Sequence, residues 1–234
     1  MIHRASRLWN VNHLFVGLLV GMVLATSSYS STSDGAHQPD AARRPAVVED
    51  HIAYGAARRR QMARYSGRHY GRRRWKLRNP SVIVLHFTAT STYPPVRSHF
   101  ASNSPSRGEM PGVCTHYVVD KDGTIYELVP LGIRCRHTIG LNHGSIGIEM
   151  VQETGRGSHW ADRQILGRRR QVRAALRLVR WLRARKGIAL RDVIGHAMGN
   201  GHRQFEDLQG WRNDHTDWLW RDVKVFRKRL RRIS

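Results

Sequence analysis

Two histidines and a glutamate stand at the ends of short apolar runs in this chain, and a polar cluster follows the last of them. His86 closes Ser81-Val82-Ile83-Val84-Leu85, His196 closes Val193-Ile194-Gly195, and Glu149 follows Ser145-Ile146-Gly147-Ile148. The cluster downstream contains His202, Asn213, Asp214, His215, Thr216 and Asp217. No two of these groups have the local spacing of a zinc finger, and there is no His-Glu-x-x-His pattern, so a metal site must be assembled from separate strands and a loop. A catalytic zinc takes three protein ligands and keeps a fourth position open. His86 and His196, with one of His202, His215 or Asp217, meet that count. Such a site suits hydrolysis, since the metal polarises a carbonyl and lowers the pKa of water. Glu149 is the candidate general base. A carboxylate in an apolar strand either finds a partner or has its pKa raised by desolvation, and a raised pKa suits proton transfer near neutral pH.

The elements that carry these groups follow from hydropathy patterning. The β-branched run before His86 reads as a strand covered on both faces. Residues 145–151 and 193–196 read as further core strands, each handing over one polar group at or near its end. Thr115–Val119 and Thr124–Leu128 flank Asp120-Lys121-Asp122-Gly123, a β-hairpin with an Asp-Gly turn. Pro94-Pro95 opens a short helical segment that runs to Ala101. Ile165, Val172, Leu176, Val179 and Leu182 form one stripe of a helix expected over 162–186, with Asp162 as N-cap and Gly187 as stop. Leu219, Val223, Phe226 and Leu230 do the same for a closing helix.

Length and charge bound the rest. The 234 residues suffice for one sizeable domain with a tail, and the formal charge of +23 calls for an anionic partner. Residues 1–25 have the layout of a secretory signal: basic residues, the apolar run Leu14–Ala25, then small and polar residues. That run is too short for a stable transmembrane anchor, since about 20 apolar residues are needed. Residues 26–79 are rich in arginine and lack a sustained period, so they read as a disordered basic linker with a transient helix around Ile52–Tyr65, leaving 80–234 as the folded domain. Export argues against a nucleic-acid partner and favours anionic cell-wall polymers for the tail. In an exported chain Cys114 and Cys135 are candidates for a disulfide.

Residues 81–220 also resemble the type-2 N-acetylmuramoyl-L-alanine amidases, the zinc-dependent relatives of the peptidoglycan recognition proteins. The resemblance rests on Ile83-Val84-Leu85-His86-Phe87-Thr88-Ala89, on the stretch His116–Tyr126, on Ser145-Ile146-Gly147-Ile148-Glu149 and on Ile194-Gly195-His196. It implies an α/β fold with a mixed central β-sheet flanked by helices, and cleavage of the amide between N-acetylmuramic acid and the L-alanine of the stem peptide. It further implies Zn2+ held by His86, His196 and Asp217, with Glu149 acting on the attacking water and protonated His215 helping to hold the oxyanion. Two departures stand out. Thr115 occupies a position where some members carry a tyrosine, so the base must be Glu149, and His215 stands where a lysine is usual. The resemblance puts His137 and Asn142 in a substrate-lining loop, and peptidoglycan or a muropeptide as the partner, met in the cell envelope after secretion. Two other classes fit part of the sequence: a muropeptide-binding module without catalysis, and a nucleic-acid-binding protein suggested by charge alone.

Overall fold

Three apolar runs, Val82–Phe87 (β2), Ser145–Met150 (β5) and Val193–Gly195 (β6), lie side by side as parallel strands in the order β5, β2, β6. Such strands are buried on both faces, which is why they read as continuous apolar runs. The computed structural model describes residues 42–233. The hairpin Tyr117–Val119 (β3) and Ile125–Glu127 (β4) joins through β3 to β5, and Val48–Glu49 (β1) adds to β4, giving a six-stranded sheet in the order β1-β4-β3-β5-β2-β6. Only the β3/β4 pair is antiparallel, so the expected mixed sheet is the observed one.

Helices cover both faces. On one, Ile83, Leu85, Ile146 and Ile148 pack with Ile165, Leu178, Val179, Leu182, Val223, Phe226 and Leu230. These come from Ser158–Gly167 (α3), Arg169–Lys186 (α4) and Trp220–Arg231 (α5), three helices that pack on one another. On the other face, Val118, Leu128 and Val151 pack with Tyr54 and with Val96 and Phe100 of Tyr93–Ala101 (α2).

Two sequence expectations need correction. The helix expected over 162–186 is two helices, broken at Arg168, whose backbone is extended; Gly187 does end α4, in the left-handed conformation. Asp162 is not an N-cap. It lies inside α3, fully buried, and accepts the backbone N–H groups of Trp218 at 3.1 Å and Leu219 at 3.0 Å. The second correction is larger. Of the linker expected over 26–79, residues 42–79 are part of the fold, and Ala56–Tyr70 is a helix (α1). Its Met62, Tyr65 and Tyr70 form an apolar cluster, and its buried Arg58 donates to the carbonyls of Phe100 and Val113. The signal expected over 1–25, and residues 26–41, lie outside the described residues.

Candidate active site

His86 and Glu149 are register partners on β2 and β5, and Leu85 pairs with Gly195 on β6, so His196 follows at the same level of the sheet. All three groups thus reach the carboxyl ends of adjacent parallel strands, where open α/β sheets present their ligand crevices. A cleft of about 450 Å³ opens there, lined by His86, Glu149, His137, His196, His215 and Asp217. The Pro95, Val96 and Phe100 side of α2 walls it on one side, and hydroxyls of Thr154, Ser158 and Thr216 line it too.

Asp217 is brought to the strands by the residue after it. Trp218 is fully buried with φ of +55°, its indole N–H donates to the His86 carbonyl at 3.2 Å, and its own carbonyl lies over Gly195, where an added Cβ would approach it to 1.8 Å. Ala197 N–H donates to the Asp217 carbonyl at 3.0 Å, while Asp162 holds the Trp218 and Leu219 amides from below. The Asp217 carboxylate therefore lies against both histidines: Oδ2 is 3.3 Å from His86 Nδ1 and Oδ1 is 3.2 Å from His196 Nδ1. The two Nδ1 atoms are 3.0 Å apart, and all three side chains are buried.

The outer nitrogens are engaged as well. His196 Nε2 donates to Asn213 Oδ1 at 3.1 Å. His86 Nε2 lies 3.1 Å from His137 Nδ1, and His137 Nε2 lies 3.1 Å from Ser145 Oγ, whose hydroxyl donates to the Leu141 carbonyl at 2.7 Å. With the outer nitrogens protonated, both Nδ1 lone pairs point at Asp217, the tautomer a metal ligand needs. Burial, and then the charge of His196, push His86 down to about 4, so it is a neutral imidazole at physiological pH. Burial opposes ionisation of Asp217, but the contacts of its carboxylate with His196 and then His86 outweigh it and hold its carboxyl below the usual range. Glu149 is the reverse case. Burial, and then the charge of Asp217, raise its pKa well above the usual value, and its buried Oε2 has no hydrogen-bond partner among the described residues. A donor set of two imidazoles and a carboxylate, converging with no cation among them, fits a divalent metal.

The structure sorts the remaining candidates. His202 pairs with Asp192 at 3.2 Å and is not part of the ligand cluster. His215 lines the cleft, exposed, its ring stacked 4.3 Å from that of His196. Its pKa is lowered by partial burial of the ring and by His196, which disfavours the imidazolium form expected from the sequence. Asn142 does not face the cleft. It is fully buried, accepting the amides of His137 and Thr138 through Oδ1 and donating to Tyr70, so it shapes the loop that carries His137. His137 reaches the cleft, but its ring nitrogens are turned to His86 and Ser145. Gly147 makes room for it, since a Cβ there would come within 2.8 Å of the ring. Thr115 is buried and offers no base. Cys114 and Cys135 are both buried free thiols rather than a disulfide.

A family model described as N-acetylmuramoyl-L-alanine amidase matches residues 76–217, a span that contains every member of this cluster. The chain belongs to the N-acetylmuramoyl-L-alanine amidase family. It is a peptidoglycan-directed amide hydrolase, and the cell wall is where it acts. Among solved structures the amidase chain is similar to LysCS, an endolysin N-acetylmuramoyl-L-alanine amidase from Clostridium intestinale, at 19% identity over 79% of this chain and 96% of that one, with a TM-score of 0.48. It is also similar to the endolysin of the Thermus scotoductus bacteriophage Ph2119, at 21% identity over 77% and 98% of the two chains, with a TM-score of 0.46. No curated protein matches the sequence. Among the described residues, no helix is long and apolar enough to cross a membrane.

Proposed function

We propose that this amidase is a zinc enzyme in which His86, His196 and Asp217 hold the metal, Glu149 is the general base, and the scissile amide joins N-acetylmuramic acid to L-alanine. The observation that carries the reading is the convergence of two buried Nδ1 atoms and one carboxylate at 3.0–3.3 Å beside a buried carboxylate oxygen with no partner. Zinc bound there supplies Lewis acidity toward a carbonyl and toward water.

The rest is done by the chain. Glu149, with its pKa raised by burial, takes a proton from water in the cleft and returns it to the leaving amine. His215 extends an imidazole N–H toward the developing oxyanion. His137 and Asn213 fix the tautomers of the two histidine ligands, and the cleft combines apolar residues of α2 with the polar residues Thr154, Ser158 and Thr216, a setting for an amphipathic glycopeptide. Export through residues 1–25 to the cell envelope belongs to the same reading, supported by the composition of that segment.

The test is zinc stoichiometry by elemental analysis together with muropeptide release, on wild type, Asp217→Ala and Glu149→Gln. We expect one zinc per chain in wild type, loss of metal and activity in Asp217→Ala, and retained metal with activity lower by about 10²–10⁴-fold in Glu149→Gln. A Glu149→Gln protein as active as wild type would remove that residue from the chemistry. Zinc without cleavage in wild type would leave a binding module.

A further inference from the structure

The helical layer that covers one face of the sheet carries a dense set of exposed cations. On α4, Arg169, Arg170, Arg173 and Arg177 are exposed along one side, and on α5 Lys224, Lys228 and Arg231 are exposed. The carboxylates of α3 and α5, Asp162 and Asp222, are buried, and α4 has none. Asp162 is taken up by backbone amides and Asp222 by His159. Nothing acidic on the outer surface of these helices offsets the cations; Asp122, in the β3–β4 turn, faces the Arg169–Arg177 row from one side. None of these cations lines the catalytic cleft.

One apolar group stands among them. Trp220, at the first turn of α5, is 51% exposed, with the Lys224 ammonium 5.6 Å and the Arg227 guanidinium 5.2 Å from its ring centre. Ile233, just past the end of α5, is exposed too. An indole beside cations on a helix surface is the composition of a lipid-water interface, where the ring settles at headgroup depth and the cations meet phosphates. A flexible anionic polymer needs the cations but not the indole.

We infer that the outer faces of α4 and α5 form a docking surface for a phospholipid bilayer with anionic headgroups. The surface lies on the folded domain, so it holds the enzyme at a membrane while the cleft remains free for the wall. It is independent of the zinc reading, because no residue of the cleft takes part.

The test is co-sedimentation of the full chain with vesicles of phosphatidylcholine alone and of phosphatidylcholine mixed with phosphatidylglycerol. Wild type is compared with Arg169→Gln/Arg173→Gln/Arg177→Gln, with Lys224→Gln/Lys228→Gln and with Trp220→Ala. All carry the same first 41 residues, so differences between them report the helices. We expect wild type to bind the mixed vesicles in a salt-sensitive way, with partitioning weaker by about fivefold for each cation removed, on the order of a hundredfold for the α4 variant. Trp220→Ala should weaken binding to vesicles but not to soluble polyphosphate. Muropeptide release, where wild type shows it, and the urea midpoint should match wild type in all three. Vesicle binding equal to wild type in both charge variants would overturn the proposal. So would polyphosphate or duplex DNA that strips wild type from vesicles together with a silent Trp220→Ala, an outcome that would mark a polymer-binding face.

Discussion

The buried histidines of the described residues separate by what their two nitrogens meet. His86 and His196 keep one nitrogen for the protein and turn Nδ1 to the ligand cluster, whereas His116 spends both: Nδ1 accepts the Gly147 N–H at 3.0 Å and Nε2 donates to the Ile133 carbonyl at 3.0 Å. A second proton on His116 has no acceptor and would face the Gly147 amide. Burial accordingly pushes its pKa down to about 4. The folded pKa lies below the unfolded value near 6.5, so the stability it contributes is fully present above pH 6.5 and is lost as pH falls through about 4, a loss of about 3 kcal/mol. Urea midpoints between pH 7 and pH 4 should therefore fall less steeply in His116→Gln than in wild type, although the variant is less stable at pH 7; parallel slopes would clear His116 of the role. At this scale the sequence was legible where a polar residue ended an apolar run, as at His86, Glu149 and His196. It was misleading at Asn142, because an amide that binds loop backbone and one that binds substrate look alike without the loop.

At the scale of elements, the site depends on how the last loop is pressed onto β6. Gly195 precedes His196, a proposed metal ligand, in a strand, where glycine is unfavourable unless another backbone approaches closely. Here that backbone is Trp218, whose carbonyl would meet an added Cβ at 1.8 Å. Neither β6 nor the buried Trp218 can withdraw cheaply, so Gly195→Ala should cost about 3 kcal/mol of stability. It should also weaken zinc binding by about 10–100-fold, as loss of a support behind metal ligands does. Urea denaturation and a zinc-chelator competition would check both; an alanine variant with unchanged metal affinity would show that Asp217 is positioned by other means. The strands, the hairpin and α5 were readable from period and turn chemistry. The break between α3 and α4 was not, because its cause is tertiary: Asp162 turns inward to the Trp218 and Leu219 amides, and Gln171 donates to the carbonyls of Val119 and Val151 at the ends of two strands.

For the whole molecule, the decisive misreading concerned charge. Arginine-rich sequence before residue 80 reads as solvated linker, yet α1 puts its polar residues to structural use inside the fold. Arg58 ties α1 to the end of α2, and His69 lies fully buried between Asp207, at 2.9 Å from Nδ1, and Glu109, at 3.0 Å from Nε2. That imidazole joins α1 to two loops, one of which continues to Asn213, His215 and Asp217. A chain starting at residue 80 would lose the Met62, Tyr65 and Tyr70 cluster and leave the Glu109 and Asp207 carboxylates facing each other. Leaving buried polar groups without their hydrogen-bond partners costs about 1–3 kcal/mol each, against a total stability of about 5–15 kcal/mol for a domain. Residues 80–234 should therefore give no cooperative thermal transition and no amidase activity, whereas residues 42–234 should melt cooperatively and cleave muropeptide. A chain from residue 80 that melts within a few degrees of the longer one would show that α1 is peripheral to the fold, and that the site loop is held by the sheet alone.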